Sequence, residues 1–115
     1  MRAFPDFMKS PLNRIPASAQ NTKDIEGYYF TGADGSQMAF WTCSADRVSQ
    51  EHTHGFDEYM ICVSGRYTAI INGEEIVLNP GDELFIPKGM LQGGRCIAGT
   101  RTIHCFGGKR IAKQV

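Results

Sequence analysis

Residues 51–60 read EHTHGFDEYM and hold two of the three histidines in this 115-residue chain. His52 and His54 stand one residue apart, and Glu58 follows four residues after the second. Alternate residues of an extended segment face the same side, so the two imidazoles project together from Cα atoms about 6.5–7 Å apart. Gly55 lets the chain turn, and Glu58 then returns on the next strand toward the same point. Two neutral imidazoles and a carboxylate form a facial donor set for a divalent first-row metal, with positions left open for water or substrate. Met60 and Cys62 continue the inner face after Glu58 and are expected to wall the ion with apolar side chains. A carboxylate in such a pocket has its pKa pushed toward neutrality, which makes Glu58 a candidate base as well. A plainer reading stands beside this one: Glu51 and Asp57 suit a polar strand edge whose histidines bind nothing.

The remaining histidine, His104, shares a strand face with Thr102 and Phe106. It is a candidate substitute ligand or proton carrier, with a core or surface histidine as the alternative. Tyr28, Tyr29, Phe30, Phe40 and Trp41 are core residues or the walls of a pocket for a planar ligand. Arg66, Arg95 and Arg101 are candidate clamps for a substrate carboxylate, or simply solvated. The glycines of QGGRC resemble a phosphate loop, but no helix follows to supply an anion-binding N-terminus.

These residues need elements to position them, and the chain offers short β-type runs cut by turns. IEGYYF, MAFWTC, EYMICV, RYTAII, EEIVL and LFIPKG are such runs, and MLQGGRCI and TRTIHCF close the series around Ala98-Gly99. RYTAII meets EEIVL across Asn72-Gly73, a strong hairpin signal because a type I′ turn needs positive φ at both central positions. Thirteen glycines and no helix-period segment point to an all-β sandwich or barrel. Residues 1–23 read as an extended arm. Prolines 5, 11 and 16 forbid a regular helix there and leave at most one short helical turn near DFMK. Its Phe4, Phe7, Met8, Leu12 and Ile15 must pack on the barrel or on a partner subunit. Residues 24–110 form the barrel and 111–115 a tail.

The length allows one domain with one core. Twelve basic and twelve acidic residues balance to zero net charge, which gives no electrostatic reason to expect nucleic acid or a membrane as partner. No apolar run reaches the ~20 residues of a membrane span, and the start lacks the apolar stretch of a signal peptide, so the chain reads as cytoplasmic. Cys43, Cys62, Cys96 and Cys105 are scattered and are expected to be reduced, buried small hydrophobes.

HTHGFDEYMICVSG follows H-x-H-x3-E-x6-G and resembles the first conserved motif of the cupin superfamily. GDELFIPKGMLQ, residues 81–92, is similar to the second. The resemblance implies a small, single-domain, RmlC-like cupin: a double-stranded β-helix (jelly-roll) barrel, commonly a homodimer. A divalent transition-metal ion (iron, manganese, nickel or zinc) would be held by His52, His54 and Glu58. A metal-dependent dioxygenase, isomerase or lyase acting on a small oxygen-rich molecule is implied, with a non-catalytic ligand- or metal-binding module as the alternative.

Three positions depart from the family's pattern: Asp46 replaces a glycine, Cys96 an asparagine, and Gln92 the second motif's histidine ligand. Gln92 would ligate through oxygen as a weaker donor, step back onto a bound water or substrate, or leave the site unable to hold metal. A three-residue loop about Ala98 would set Gln92 opposite His104, and a two-residue loop would set it opposite Cys105. In a jelly roll the two strands can instead enter different sheets.

Overall fold

A computed structural model describes residues 2–20 and 22–111. Its nine strands are β1 (Ile25–Thr31), β2 (Gln37–Cys43), β3 (Arg47–Val48), β4 (Glu58–Ser64), β5 (Tyr67–Ile71), β6 (Glu74–Leu78), β7 (Glu83–Ile86), β8 (Gln92–Cys96) and β9 (Arg101–Phe106). They pair antiparallel in two sheets, β1-β2-β9-β4-β7 and β3-β8-β5-β6. This is the expected all-β jelly roll. The Asn72-Gly73 turn forms as read, with φ of 49° and 85° and Ile71 opposite Glu74. β8 and β9 enter different sheets, so neither hairpin register applies to Gln92 and His104.

Period-two alternation sorts the aromatic residues of the first sheet. On β2, Ala39 and Trp41 turn inward with Phe106, whereas Phe40 turns outward with Tyr28. The arm covers that outer face: the Phe4 ring lies 5.1 Å from Phe40, and Met8 packs beside it. Ile15 donates its N–H to the Gly27 carbonyl at 2.8 Å and buries its side chain against the inner cluster. The arm carries three one-turn 3-10 segments, Asp6–Met8, Pro11–Asn13 and Ala17–Ala19, where at most one was expected. Each starts at or directly after a proline (Pro5, Pro11 and Pro16), a residue that is tolerated at the entry to a helical turn even though it forbids a longer helix. Phe7 and Leu12 remain exposed.

At the far end, Ile111 is buried, and its backbone exchanges two 2.8 Å hydrogen bonds with the Gln37 amide. The rest of the expected tail lies outside the described residues. No helix among the described residues is long and apolar enough to cross a membrane.

The cysteines differ from expectation. Cys43 ends β2, Cys96 ends β8, and the two are joined as a disulfide across the sheets, 53 residues apart in sequence. Spacing could not show this, because the pair meets only when two sheets stack. Cys62 is buried, but Cys105 is exposed. Burial holds the Cys62 thiol above its usual pKa, so native protein is expected to alkylate at Cys105 first. Unfolded, unreduced protein is expected to yield Cys43 and Cys96 as one linked peptide pair. Recovery of both as alkylated monomers would contradict the pairing.

Candidate functional site

A cavity of about 80 Å³ opens between the sheets. That is room for several waters or a small organic molecule. Trp41, Glu58, His104 and Phe106 line it from one sheet and Tyr67 and Gln92 from the other, with His52 and His54 on the segment between β3 and β4. The sequence candidates therefore converge.

The expected two-histidine strand is shorter than anticipated. Only His52 joins a ladder, exchanging two 2.8 Å backbone bonds with Gln92. His54 lies past its end, its carbonyl accepting the Gly89 N–H at 2.9 Å. The rings still meet, with centroids 4.7 Å apart. His52 Nδ1 lies 2.9 Å from the Gln50 carbonyl. A carbonyl only accepts, so Nδ1 carries the hydrogen, which leaves Nε2 as the nitrogen that could ligate an ion. Burial lowers the pKa of His54 to about 4 despite the attraction of Glu58, with His52, Arg110 and His104 adding to the lowering. His54 is therefore a neutral donor near pH 7.

Glu58 opens β4 and is 3% exposed. Its Oε2 takes a 2.6 Å bond from His104 Nδ1, whose Nε2 lies 3.0 Å from Thr102 Oγ1. Its Oε1 is buried without a hydrogen bond; His54 Nε2 stands 3.4 Å away. Burial alone would raise the carboxyl's pKa, but the bond and charge of His104, then His54 and Gln92, outweigh it and hold it below the usual value. The expected push toward neutrality is thus reversed, because the pocket is not apolar on the side where His104 enters. The Gln92 side chain lies close enough to favour the ionised carboxylate, but it makes no bond to Oε1.

Other expectations change in the fold. Met60 and Cys62 pack with Leu78 in the core rather than lining the cavity. Of the five early aromatics, only Trp41 lines it. Arg66 and Arg101 lie outside; Arg95 reaches the rim but is held by both Glu75 oxygens, at 2.6 and 2.8 Å. Gly94 in QGGRC leaves room for a tyrosine, not a phosphate: a Cβ there would overlap the Tyr67 hydroxyl. Sequence reasoning missed Tyr67, Gln20 and Arg110. The paired glycines were the one available signal, since a strand that gives up side chains makes room for a neighbour. Burial, then the Glu58 charge, raises the Tyr67 pKa, so its hydroxyl stays a neutral donor.

Among the described residues, no three His, Cys, Asp or Glu side chains form a ready-made metal cluster. One oxygen of Glu58 is committed to His104 instead. The cupin domain profile matches residues 39–97, just over half of the chain. No curated protein matches in sequence. Similar solved structures include KdgF from Halomonas sp. at 19% identity, covering 75% of this chain and 80% of that one with a TM-score of 0.69. An RmlC-like cupin from Shewanella frigidimarina matches at 16% identity over 85% of this chain and 96% of its own, TM-score 0.69. The polyketide cyclase RemF from Streptomyces resistomycificus matches at 17% identity over 92% and 78%, TM-score 0.70. At these identities the likeness concerns the fold.

Proposed function

Because this chain belongs to the cupin family, we propose that it holds a divalent transition-metal ion and acts on a small oxygen-rich organic molecule in the cavity. His52, His54 and Glu58 would hold the ion, with Gln92 as a weaker neutral oxygen donor. The observation that carries this reading is Glu58 Oε1, a buried carboxylate oxygen left without a donor beside two imidazoles. An ionised oxygen in that state is costly unless a cation or water completes it.

When bound, such an ion supplies Lewis-acid polarisation of a substrate oxygen, or an electron path to O2 if it is iron. The chain's own residues orient and enclose. The Gln50 carbonyl fixes the His52 ring, and His104 with Thr102 fixes Glu58. Tyr67 offers a neutral hydroxyl, and Trp41 and Phe106 narrow the space open to water. A dioxygenase, isomerase or lyase fits this arrangement. The fold does not choose among them. The binding-module reading draws support from Gln92 and from a Glu58 that is tied up as an ionised acceptor rather than poised as a base.

Untagged protein is expected to carry stoichiometric metal by elemental analysis, lost in a His52→Ala/His54→Ala variant. Sub-stoichiometric metal indifferent to the mutations would sink the proposal. Gln92→His is expected to raise affinity, since imidazole is the stronger donor; an unchanged affinity would place Gln92 away from the ion.

A homodimer is the matching assembly proposal. Phe7 and Leu12 on the arm are 82% and 92% exposed, and Phe30 and Met38 are exposed partners on the adjoining β1 and β2. Light scattering is expected to give a dimer that Phe7→Ser/Leu12→Ser weakens. A monomeric wild type at micromolar concentration would count against it.

A further inference from the structure

Arg110 stands just beyond the last strand, half-buried at the cavity wall. Its guanidinium lies 5.2 Å over the Trp41 ring and 5.9 Å from that of Phe106. One N–H reaches the Ala19 carbonyl at 3.1 Å. Among the described residues it makes no direct ion pair, unlike Arg47 with Asp24 and Arg95 with Glu75; the Glu58 carboxylate acts on it only through its charge. A half-buried guanidinium seated over one aromatic ring and against a second is restricted in pose, with donors left over.

Gln20 lines the same cavity and follows Ala19 directly. Its Oε1 accepts the Trp41 indole N–H at 2.9 Å. An indole nitrogen only donates, so the amide oxygen must face it and the NH₂ must point away. That Nε2 is buried with no acceptor. The cavity thus presents two unlike sets of groups. One is His52, His54 and the bare oxygen of Glu58; beside it stand a guanidinium with donors left over after the Ala19 carbonyl and an amide NH₂ that lacks an acceptor.

We infer that the cavity's ligand is a small carboxylate, its anion received by Arg110 with the Gln20 amide as second donor and its other end turned toward His52, His54 and Glu58. The inference names the substrate class of the site proposed above and rests on that reading for the set of His52, His54 and Glu58 only. Arginine suits the task because its planar fork can bond both oxygens of a carboxylate. The arm and the segment after β9, joined at the Ala19 carbonyl, set this part of the site.

The chain's single tryptophan lies beneath Arg110 and reports on the test. Malonate and neutral malonamide of similar shape are titrated by Trp41 fluorescence into chelator-treated and metal-loaded protein. Wild type is expected to bind malonate at least tenfold more tightly than malonamide, even without metal. Arg110→Gln should remove that preference and Arg110→Lys keep part of it. Gln20→Glu preserves the acceptor for Trp41 but replaces the donor with a second acceptor, and should weaken malonate at least tenfold. Equal binding of the two probes by wild type overturns the inference, as does undiminished malonate binding in both Arg110→Gln and Gln20→Glu. Metal content is measured on each variant. Malonate preference in a protein that holds no metal would uphold the carboxylate end and refute the metal reading.

Discussion

His104→Ala is expected to lower metal affinity by about 10–100-fold, although His104 is no ligand in the proposed set. Its Nδ1 donates a 2.6 Å bond to Glu58 Oε2, and Thr102 sets the ring from the other side. Without the imidazole, a carboxylate that is 3% exposed loses the donor that holds its Oε2 and its fixed rotation at once. Burial then loses its largest opposition, with only His54 and Gln92 left against it, and the balance moves toward the neutral acid, a poorer ligand. Leaving a buried carboxylate without the donor that satisfied it also costs about 1–3 kcal/mol of stability. Urea unfolding of the metal-free variant reads that cost, and chelator competition reads the affinity. His104→Gln retains an N–H donor and should recover part of both. Thr102→Val should have the smaller effect, since it leaves the bond to Glu58 in place. If His104→Ala folded as stably as wild type and bound metal equally well, the pair would have no role in presenting Glu58.

Trp41→Ala is expected to destabilise the protein by about 3–5 kcal/mol, in the range for emptying a large aromatic site in a core. Trp41 is 6% exposed and packs with Ile15, Ala39, Phe106 and Ile111, so it ties the arm and the segment after β9 to the inner face of the sheet. It also meets His104 edge-on at 4.8 Å and supports Arg110. The loss would therefore reach both sets of groups in the cavity. Gly27→Ala approaches the same contact from the other side. A methyl there would overlap the indole, because Gly27 sits opposite Trp41 in the β1–β2 register. Overpacking of this kind costs about 1–3 kcal/mol. Thermal unfolding of both variants tests the pair. A Trp41→Ala protein with a wild-type unfolding midpoint would show that the arm is not anchored through this ring.

Much of the site was legible because its signals are local. The alternation of His52 and His54, the return at Glu58 and the Asn72-Gly73 hairpin depend on residues a few positions apart, whose geometry the backbone dictates. The all-β pattern follows from turn spacing in the same way. Sequence pattern alone thus determined the strands, an all-β sandwich or barrel and which imidazoles and carboxylate come together; the jelly roll followed from the resemblance of two motifs to the cupin pattern.

The tertiary structure decided what surrounds that point. The order β1-β2-β9-β4-β7 lays β9 against β4 and brings His104 onto Glu58, 46 residues earlier, reversing the expected direction of its pKa. Stacking the two sheets joins Cys43 to Cys96, and pairing β5 with β8 within the second sheet places Tyr67 over Gly94. Folding the arm and the segment after β9 over Trp41 puts Gln20 and Arg110 at the cavity, residues that no motif marked. A histidine pair is written in a few adjacent letters. The charge, burial and donors facing it come from segments distant in sequence, and no local pattern records which of them will meet.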